Sequence, residues 1–354
     1  MRIQAVMEAL EKENLDAFWC NGATNRRYLS GFTGSSAVLL IHASGCKLFT
    51  DFRYTQQAMQ QAQGFEVVEC AAGEIYARLA EACMDASVRR LGFEEDDVPV
   101  SVYLQMRERF GEKIELVYAG RIPKTLRAIK TDEEIEKIKE AARITDEVFA
   151  HICGFIKEGM RERDIALEID CQIKKRCGAT SFATIAASGP NSALPHAQPG
   201  ERCLKQGDAL ILDFGAVYMG YCSDFTRTLF VGTIDKELHN VYNVVRNAQA
   251  LALEGIRAGM ECSGADALAR DVIVQAGYGA RFGHSLGHGV GMDVHEDPRL
   301  SGTASGALLP DMVITVEPGI YIPELGGVRI EDLCVVRENG VENLVHATKE
   351  IIQV

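Results

Sequence analysis

Asp213 stands inside the apolar run ALILDFGAV, and Asp224, eleven residues on, opens a second such run, DFTRTLFVG. A carboxylate in a strand of that character is costly to desolvate unless a cation or strong donors meet it. A short connection through residues 218–222, turned at Gly220, would fold the two segments into an antiparallel hairpin with both aspartates on one face. Like charges so placed repel, and a bound metal ion is the usual resolution. The pattern recurs downstream. In MVITVEPG, Val313, Thr315 and Glu317 alternate onto one face, with Glu317 at a Pro-Gly turn. In VRIEDLCVV, Arg329 and Glu331 are two apart and point the same way. Any one of these acids alone reads as a solvated strand end. Four of them on apolar strands point to metal chemistry.

The histidines sharpen this. His284 and His288, in RFGHSLGHGVGMDVHEDPRL, are four apart, which on a helix would make a two-histidine metal face. Glycines at 283, 287, 289 and 291 oppose a helix, and with no strand before and no helix after they do not form a dinucleotide loop. They do allow an extended backbone passing close to a neighbour, with histidines turned into a cavity. His295 follows in VHEDP, and His196 stands in the Gly/Pro/Asn-rich segment SGPNSALPHAQPG. His42, His151, His239 and His346 sit in ordinary strand-end or helical contexts.

These residues must be carried by an α/β framework. Residues 3–14 read as an amphipathic helix with Ile3, Val6, Met7 and Leu10 on one face. Short apolar runs follow (DAFWC, AVLLIH, CKLFT, EVVEC, RRLGFE), separated by helical stretches near 53–63, 75–87 and 100–110. The glycines of SGFTGSS suggest a phosphate loop only weakly, since no Lys-Ser/Thr follows and a strand comes next. Pro123 and the basic stretch after it read as a linker, which divides the chain into domains 1–122 and 123–354. Thr131 then caps a helix with Asp132, Glu133 and Glu134 in its first turn and Ile135, Ile138, Ala142, Thr145 and Phe149 as its buried stripe. Further helices are expected at 163–175, 236–258 and 264–275, and strands at FATIAAS and the carboxylate-bearing runs. No tandem repeat is visible.

A chain of 354 residues fits two domains, and a net charge of −13 opposes a nucleic-acid surface, which runs on clustered Lys and Arg. The segment MRIQAVMEALEKENLDAF has no uninterrupted apolar h-region, and no run is long enough to span a bilayer, so no membrane role is expected. Eleven scattered cysteines without a C-x-x-C pair suit free thiols in a reducing compartment, with the cytoplasm as the default.

Taken in order, TIAASGPNSALPHAQP, LILDFGAVYMGYCSDFTRT, HSLGHGVGMDVHEDP, ITVEPGIYI and GVRIED resemble the pita-bread metallopeptidases, specifically the prolidase and aminopeptidase P branch. LDAFWCNGATNRRYLSGFTGSSAVLLI is similar to that family's N-terminal domain, so the resemblance spans nearly the whole chain. It implies a creatinase-like mixed α/β N-terminal domain followed by a pita-bread catalytic domain. It further implies hydrolysis of the bond between an N-terminal residue and proline, in dipeptides or in longer peptides, by a homodimer. Asp213, Asp224, His288, Glu317 and Glu331 would be the five ligands of two divalent ions, with Asp224 and Glu331 bridging. The resemblance places His196, His284 and His295 around the substrate, Arg329 close to the metals, and Arg299 where it can hold a C-terminal carboxylate. Glu317 is the expected proton shuttle, and His284 and His295 the donors to the developing oxyanion. Four carboxylates and one imidazole favour Mn²⁺, with Co²⁺, Fe²⁺ or Zn²⁺ also able to occupy the site. The rival readings are methionine aminopeptidase, which in minimal form lacks the large N-terminal domain, and creatinase, which lacks the ligands. A non-catalytic binding module on the same fold is a third, set against the intact ligand set.

Overall fold

The computed structural model describes residues 2–354, which form two compact units meeting in sequence at Arg127 and Ala128. The first is built on a six-stranded mixed sheet. Its spatial order is Glu66–Cys70, Gly45–Asp51, Ala37–His42, Ala17–Cys20, Arg90–Phe93, Glu115–Tyr118. Trp19, Leu40, Phe49, Leu91 and Phe93 bury one core cluster of this unit with Leu79, Cys83, Met106 and Phe110 from the helices Ile75–Asp85 and Val100–Phe110.

The second unit sets antiparallel sheets between two helix pairs, Asp132–Phe155 with Glu162–Arg176 and Lys236–Gly255 with Cys262–Gln275. Alternation decides which pair each strand residue meets. Val313, Leu333 and Val335 pack with Ile138, Phe149 and Ile169 of the first pair. Ile314, Val316, Cys334 and Val336 pack with Val241, Val245 and Ala269 of the second. Covered on both faces, these strands read as continuous apolar runs, and a carboxylate among them needs a specific partner.

Helix starts follow local chemistry. Thr131 and Glu134 form a reciprocal capping box, with Thr131 N donating to Glu134 Oε2 at 2.8 Å. Asp235 caps the helix Lys236–Gly255 through the amides of Glu237 and Leu238. The stretch expected as a linker is instead the helix Arg121–Ala128, where Pro123 lies in the first turn and forfeits only an amide that would have no intrahelical partner.

A repeat is present that periodicity did not reveal. Gly159 (φ +84°) and Gly259 (φ +79°) each follow a long helix by the same interval. Gly159 N donates to Leu204 O and Gly259 N to Leu308 O, at 2.9 and 2.8 Å, while Leu204 N and Leu308 N return to Met160 O and Met260 O.

All eleven cysteines are free, and only Cys203 is exposed. Among the described residues no helix is long and apolar enough to cross a membrane.

Behind the sheet lies a buried polar cluster. Arg227, 1% exposed, donates to Asp332 Oδ1 (2.8 Å) and to the carbonyls of Glu331, Ala347 and Thr348, while Lys349 Nζ meets Asp332 Oδ2 at 2.5 Å. Burial works against the Asp332 carboxylate, but Arg227 and Lys349 hold its pKa below the ordinary value. Asp332→Ala would leave two cations short of their common anion in the interior, a loss of about 3–5 kcal/mol. The expected result is a fall of roughly 10 °C in the melting midpoint of the second unit, measured by calorimetry.

Candidate metal centre

The expected hairpin forms. Ala216–Tyr218 pairs with Tyr221–Cys222 around Met219 and Gly220, both at positive φ, and Asp213 lies opposite Thr226 in the ladder of Ala209–Asp213 with Thr226–Phe230. Asp224 precedes Thr226 by two residues and so continues the face that Asp213 occupies. The two long runs downstream are each broken where the acid stands. MVITVEPGIYI splits into Val313–Val316 and Gly319–Ile322, and VRIEDLCVV into Gly326–Arg329 and Asp332–Arg337, the halves joining different sheets. Glu317 and Glu331 thus sit at strand breaks, where a side chain can leave the packed layer for a cavity.

The histidine segment is extended, as its glycines require. Gly287 and Gly289 belong to a strand, and a Cβ on either would stand 2.0 Å from Thr315 O or 2.1 Å from Asp297 O. Only glycine permits that approach, and it sets the His288 backbone against Thr315, whose Oγ1 accepts from His288 N at 3.1 Å and donates to Glu317 Oε1 at 3.1 Å.

The tightest grouping is Asp224, His288 and Glu331, each offering one ligand atom within 4.8 Å of the others. His288 Nε2 lies 3.6 Å from Asp224 Oδ2 and 3.2 Å from Glu317 Oε1, and its Nδ1 is 3.1 Å from Gly289 O. Asp213 stands apart from that triad, gripped by Arg329 Nη2 at 2.5 Å. Two carboxylate oxygens, Asp213 Oδ1 and Glu331 Oε1, are buried without a hydrogen-bond partner. A carboxylate oxygen left so is expensive, and a cation is the group that would satisfy it. This donor set therefore fits hard divalent metal.

The electrostatics agree. Burial raises Asp213, and pushes Asp224 and Glu331 well above the carboxylate range; neighbouring carboxylates add to it in each case. Glu317 goes the other way. Burial would raise it, yet the hydrogen bond and charge of His288, with His284 and Arg329, bring it to about 2. Burial likewise opposes the His288 cation, but Glu317 and Asp224 lift it to about 9.

His284 is half-buried, its pKa lowered by burial, with Nε2 2.9 Å from Tyr321 OH. His295 is exposed and stacks obliquely on His288, ring centroids 4.3 Å apart. His196 is exposed on its loop, and its charge bears on Asp213, His284 and His295. Arg299 pairs directly with His288 in the antiparallel ladder, so the two side chains leave the same face.

Two further residues belong to this constellation. Tyr321 OH accepts from Arg329 Nη1 at 2.8 Å, linking Arg329 to His284, and burial raises its own pKa to about 12. Thr226 Oγ1 donates to Glu331 Oε2 at 2.7 Å and accepts from Arg329 Nε at 3.2 Å. Alternation carried the signal for Thr226, two residues from Asp224; Tyr321 lies beyond the strand break at Glu317, where alternation does not carry over.

Comparison with known proteins adds the following. Residues 136–338 match the model of metallopeptidase family M24, and residues 2–129 that of the creatinase/prolidase N-terminal domain. An uncharacterized peptidase of Bacillus subtilis (strain 168), YqhT, is 43% identical over 99% of both chains. A solved Xaa-Pro dipeptidase from Bacillus anthracis is 42% identical, with TM-score 0.96 over 100% of this chain and 99% of that one. An X-Pro aminopeptidase from Thermotoga maritima MSB8 is 36% identical, with TM-score 0.91 over 100% of both.

Proposed function

The chain belongs to metallopeptidase family M24, with the pita-bread fold, and from that premise we propose that it is an Xaa-Pro peptidase acting chiefly on dipeptides. The observation that carries the reading is the cluster of Asp224, His288 and Glu331, with one orphaned carboxylate oxygen in it on Glu331 and a second on neighbouring Asp213. Asp213, Asp224, His288, Glu317 and Glu331 would hold two divalent ions, Mn²⁺ by the hardness of the set. When bound, such a pair polarises the scissile carbonyl and lowers the pKa of water.

The protein's own groups supply the rest. Glu317, ionised well below neutral pH, accepts the proton of the attacking water and passes it to the departing proline nitrogen. His295 donates toward the oxygen that becomes negative. His284, whose Nδ1 donates to Ser285 O at 2.8 Å, accepts from Tyr321 OH at Nε2 and so braces the Arg329–Tyr321 pair. His196 orients the substrate. Arg329 holds Asp213 in place through the 2.5 Å contact and fixes Tyr321. The proline nitrogen bears no hydrogen, so specificity must come from the shape around the ring.

Arg299 favours the dipeptide. Its position opposite His288 sets a guanidinium on the face of the catalytic cluster, suited to a carboxylate one residue beyond the cut. The test is proline release from Leu-Pro by Mn²⁺-loaded protein, set beside cleavage of a Leu-Pro-containing pentapeptide. Arg299→Ala is expected to raise KM for Leu-Pro by about 10–100-fold and to change cleavage of the pentapeptide little. Cleavage of the pentapeptide in preference to Leu-Pro would make the protein an aminopeptidase of the proline-directed type. We place it in the cytoplasm as a homodimer. The alternative, a binding module without catalysis, predicts no proline from either substrate with Mn²⁺, Co²⁺ or Zn²⁺.

A further inference from the structure

The His196 loop, residues 188–200, is mostly irregular. After the strand Ile185–Ser188 ends, its one regular piece is the 3-10 turn Gly189–Ala193. Such a segment needs anchors if the histidine it carries is to have a fixed place. One side chain supplies them at both ends. Glu162, 0% exposed at the start of the helix Glu162–Arg176, accepts from Ser188 N at 2.8 Å and Ser188 Oγ at 2.7 Å. It accepts from Asn191 Nδ2 at 3.1 Å to each oxygen, and from Gly200 N at 3.2 Å. The backbone adds Glu162 N to Arg202 O at 3.0 Å and Arg163 N to Gly200 O at 3.1 Å.

A second line of contacts backs the first. Arg202 Nη1 donates to Ser188 Oγ at 2.6 Å, and its guanidinium forks onto Asp208 at 2.6 and 2.8 Å. Gly189, at φ +50°, lies so near this pair that a Cβ there would stand 2.4 Å from Asp208 Oδ1. Farther along, Ser192 Oγ accepts from Gly327 N at 2.8 Å, and Pro195 O accepts from Arg329 Nη1 at 3.4 Å. The loop is therefore closed at its base by Glu162 and rests on the strand that ends in Arg329.

We infer that Glu162 is a positioning residue: by tying both ends of the loop of residues 188–200 it fixes where His196 stands beside the carboxylate cluster. This rests on reading His196 as the histidine that orients the substrate. A buried carboxylate is retained here because it can accept from several donors at once. Glutamine keeps one accepting oxygen and turns two N–H donors toward groups that also donate.

The experiment compares wild type, Glu162→Gln, His196→Ala and the double variant, with Ser188→Ala as a milder cut in the same network. Hydrogen exchange over residues 188–200 is followed alongside Leu-Pro hydrolysis by Mn²⁺-loaded protein. In Glu162→Gln, exchange in the loop is expected to quicken about tenfold or more, with the helix Asp132–Phe155 and strand Ala209–Asp213 unchanged. Its kcat/KM is expected to fall about tenfold in the wild-type background and less than about twofold in His196→Ala. Should Glu162→Gln not fold, Ser188→Ala carries the same two readouts. Unchanged exchange in the loop, or an equal fall in both backgrounds, overturns the inference. A wild type that releases no proline sinks the peptidase reading instead, and loop exchange then decides the anchor by itself.

Discussion

Asp224→Asn is expected to give a protein more stable than wild type without metal and inactive with it. Asp224 is 5% exposed, shares a small space with Glu331 and His288, and has its pKa pushed well upward, first by burial and then by Asp213. A carboxyl whose folded pKa exceeds its unfolded value adds stability only while protonated. That contribution is complete below the unfolded pKa and is lost as pH rises through the folded one. At neutral pH the site therefore weighs against folding, and an amide of the same shape relieves it by about 1–2 kcal/mol. The gain should shrink toward zero near pH 4, where the wild-type carboxyl is protonated in the folded state and about half protonated in the unfolded one. The same change removes one anionic oxygen that a divalent ion would need there, and losing several kcal/mol of charge stabilisation costs on the order of a thousandfold in kcat/KM. Melting curves at pH 4 and 8, with and without Mn²⁺, read both effects. The variant should melt higher only at pH 8 and without metal, and Mn²⁺ should shift it far less than wild type. A variant less stable than wild type under metal-free conditions at pH 8 would show that the carboxylates are not in conflict.

Much of this centre follows from two periods. Alternation places Asp224 with Thr226, Thr315 with Glu317, and Arg329 with Glu331; Thr315 Oγ1 donates to Glu317, and Thr226 Oγ1 joins Arg329 to Glu331. The glycines of LGHGVG foretell extended backbone because a crowded approach leaves no other residue possible. The Pro-Gly turn marked the strand end at Glu317, but the break at Glu331 was not legible, since an apolar run looks the same whether one sheet or two receive it. The helix Ala23–Ser30 escaped for a different reason. ATNRRYLS has no apolar stripe, and its buried Arg26 is held through Nη1 and Nη2 by the carbonyls of Asn21, Gly34 and Ala37, partners that exist only once the fold is made. The repeat around Gly159 and Gly259 stayed hidden because only its turns are alike in sequence, while the helices before them, Asp132–Phe155 and Lys236–Gly255, differ in length and composition. Periodicity finds what a residue's own neighbours decide. It misses what depends on the partner strand.

Metal affinity should tighten steeply with pH, by about a hundredfold between pH 6 and pH 8. The argument turns on His288. Burial alone would lower its pKa, but Glu317 Oε1 at 3.2 Å and Asp224 Oδ2 at 3.6 Å from Nε2 raise it to about 9. At neutral pH the metal-free protein therefore holds a proton on the nitrogen whose lone pair a cation needs. Binding must expel that proton, so the apparent Kd falls roughly tenfold per pH unit until pH passes about 9, above which no proton competes. Asp224 and Glu331, also raised, steepen the slope wherever they remain protonated. Calorimetric titration with Mn²⁺ at pH 6, 7 and 8, in two buffers of different ionisation enthalpy, gives affinity and protons released together. His288→Ala should bind more weakly and release about one proton fewer. An affinity that does not change across this range would mean the metal is held without His288, and would reduce the cluster to its carboxylates. A steep slope that persists in His288→Ala would instead assign the expelled protons to Asp224 and Glu331.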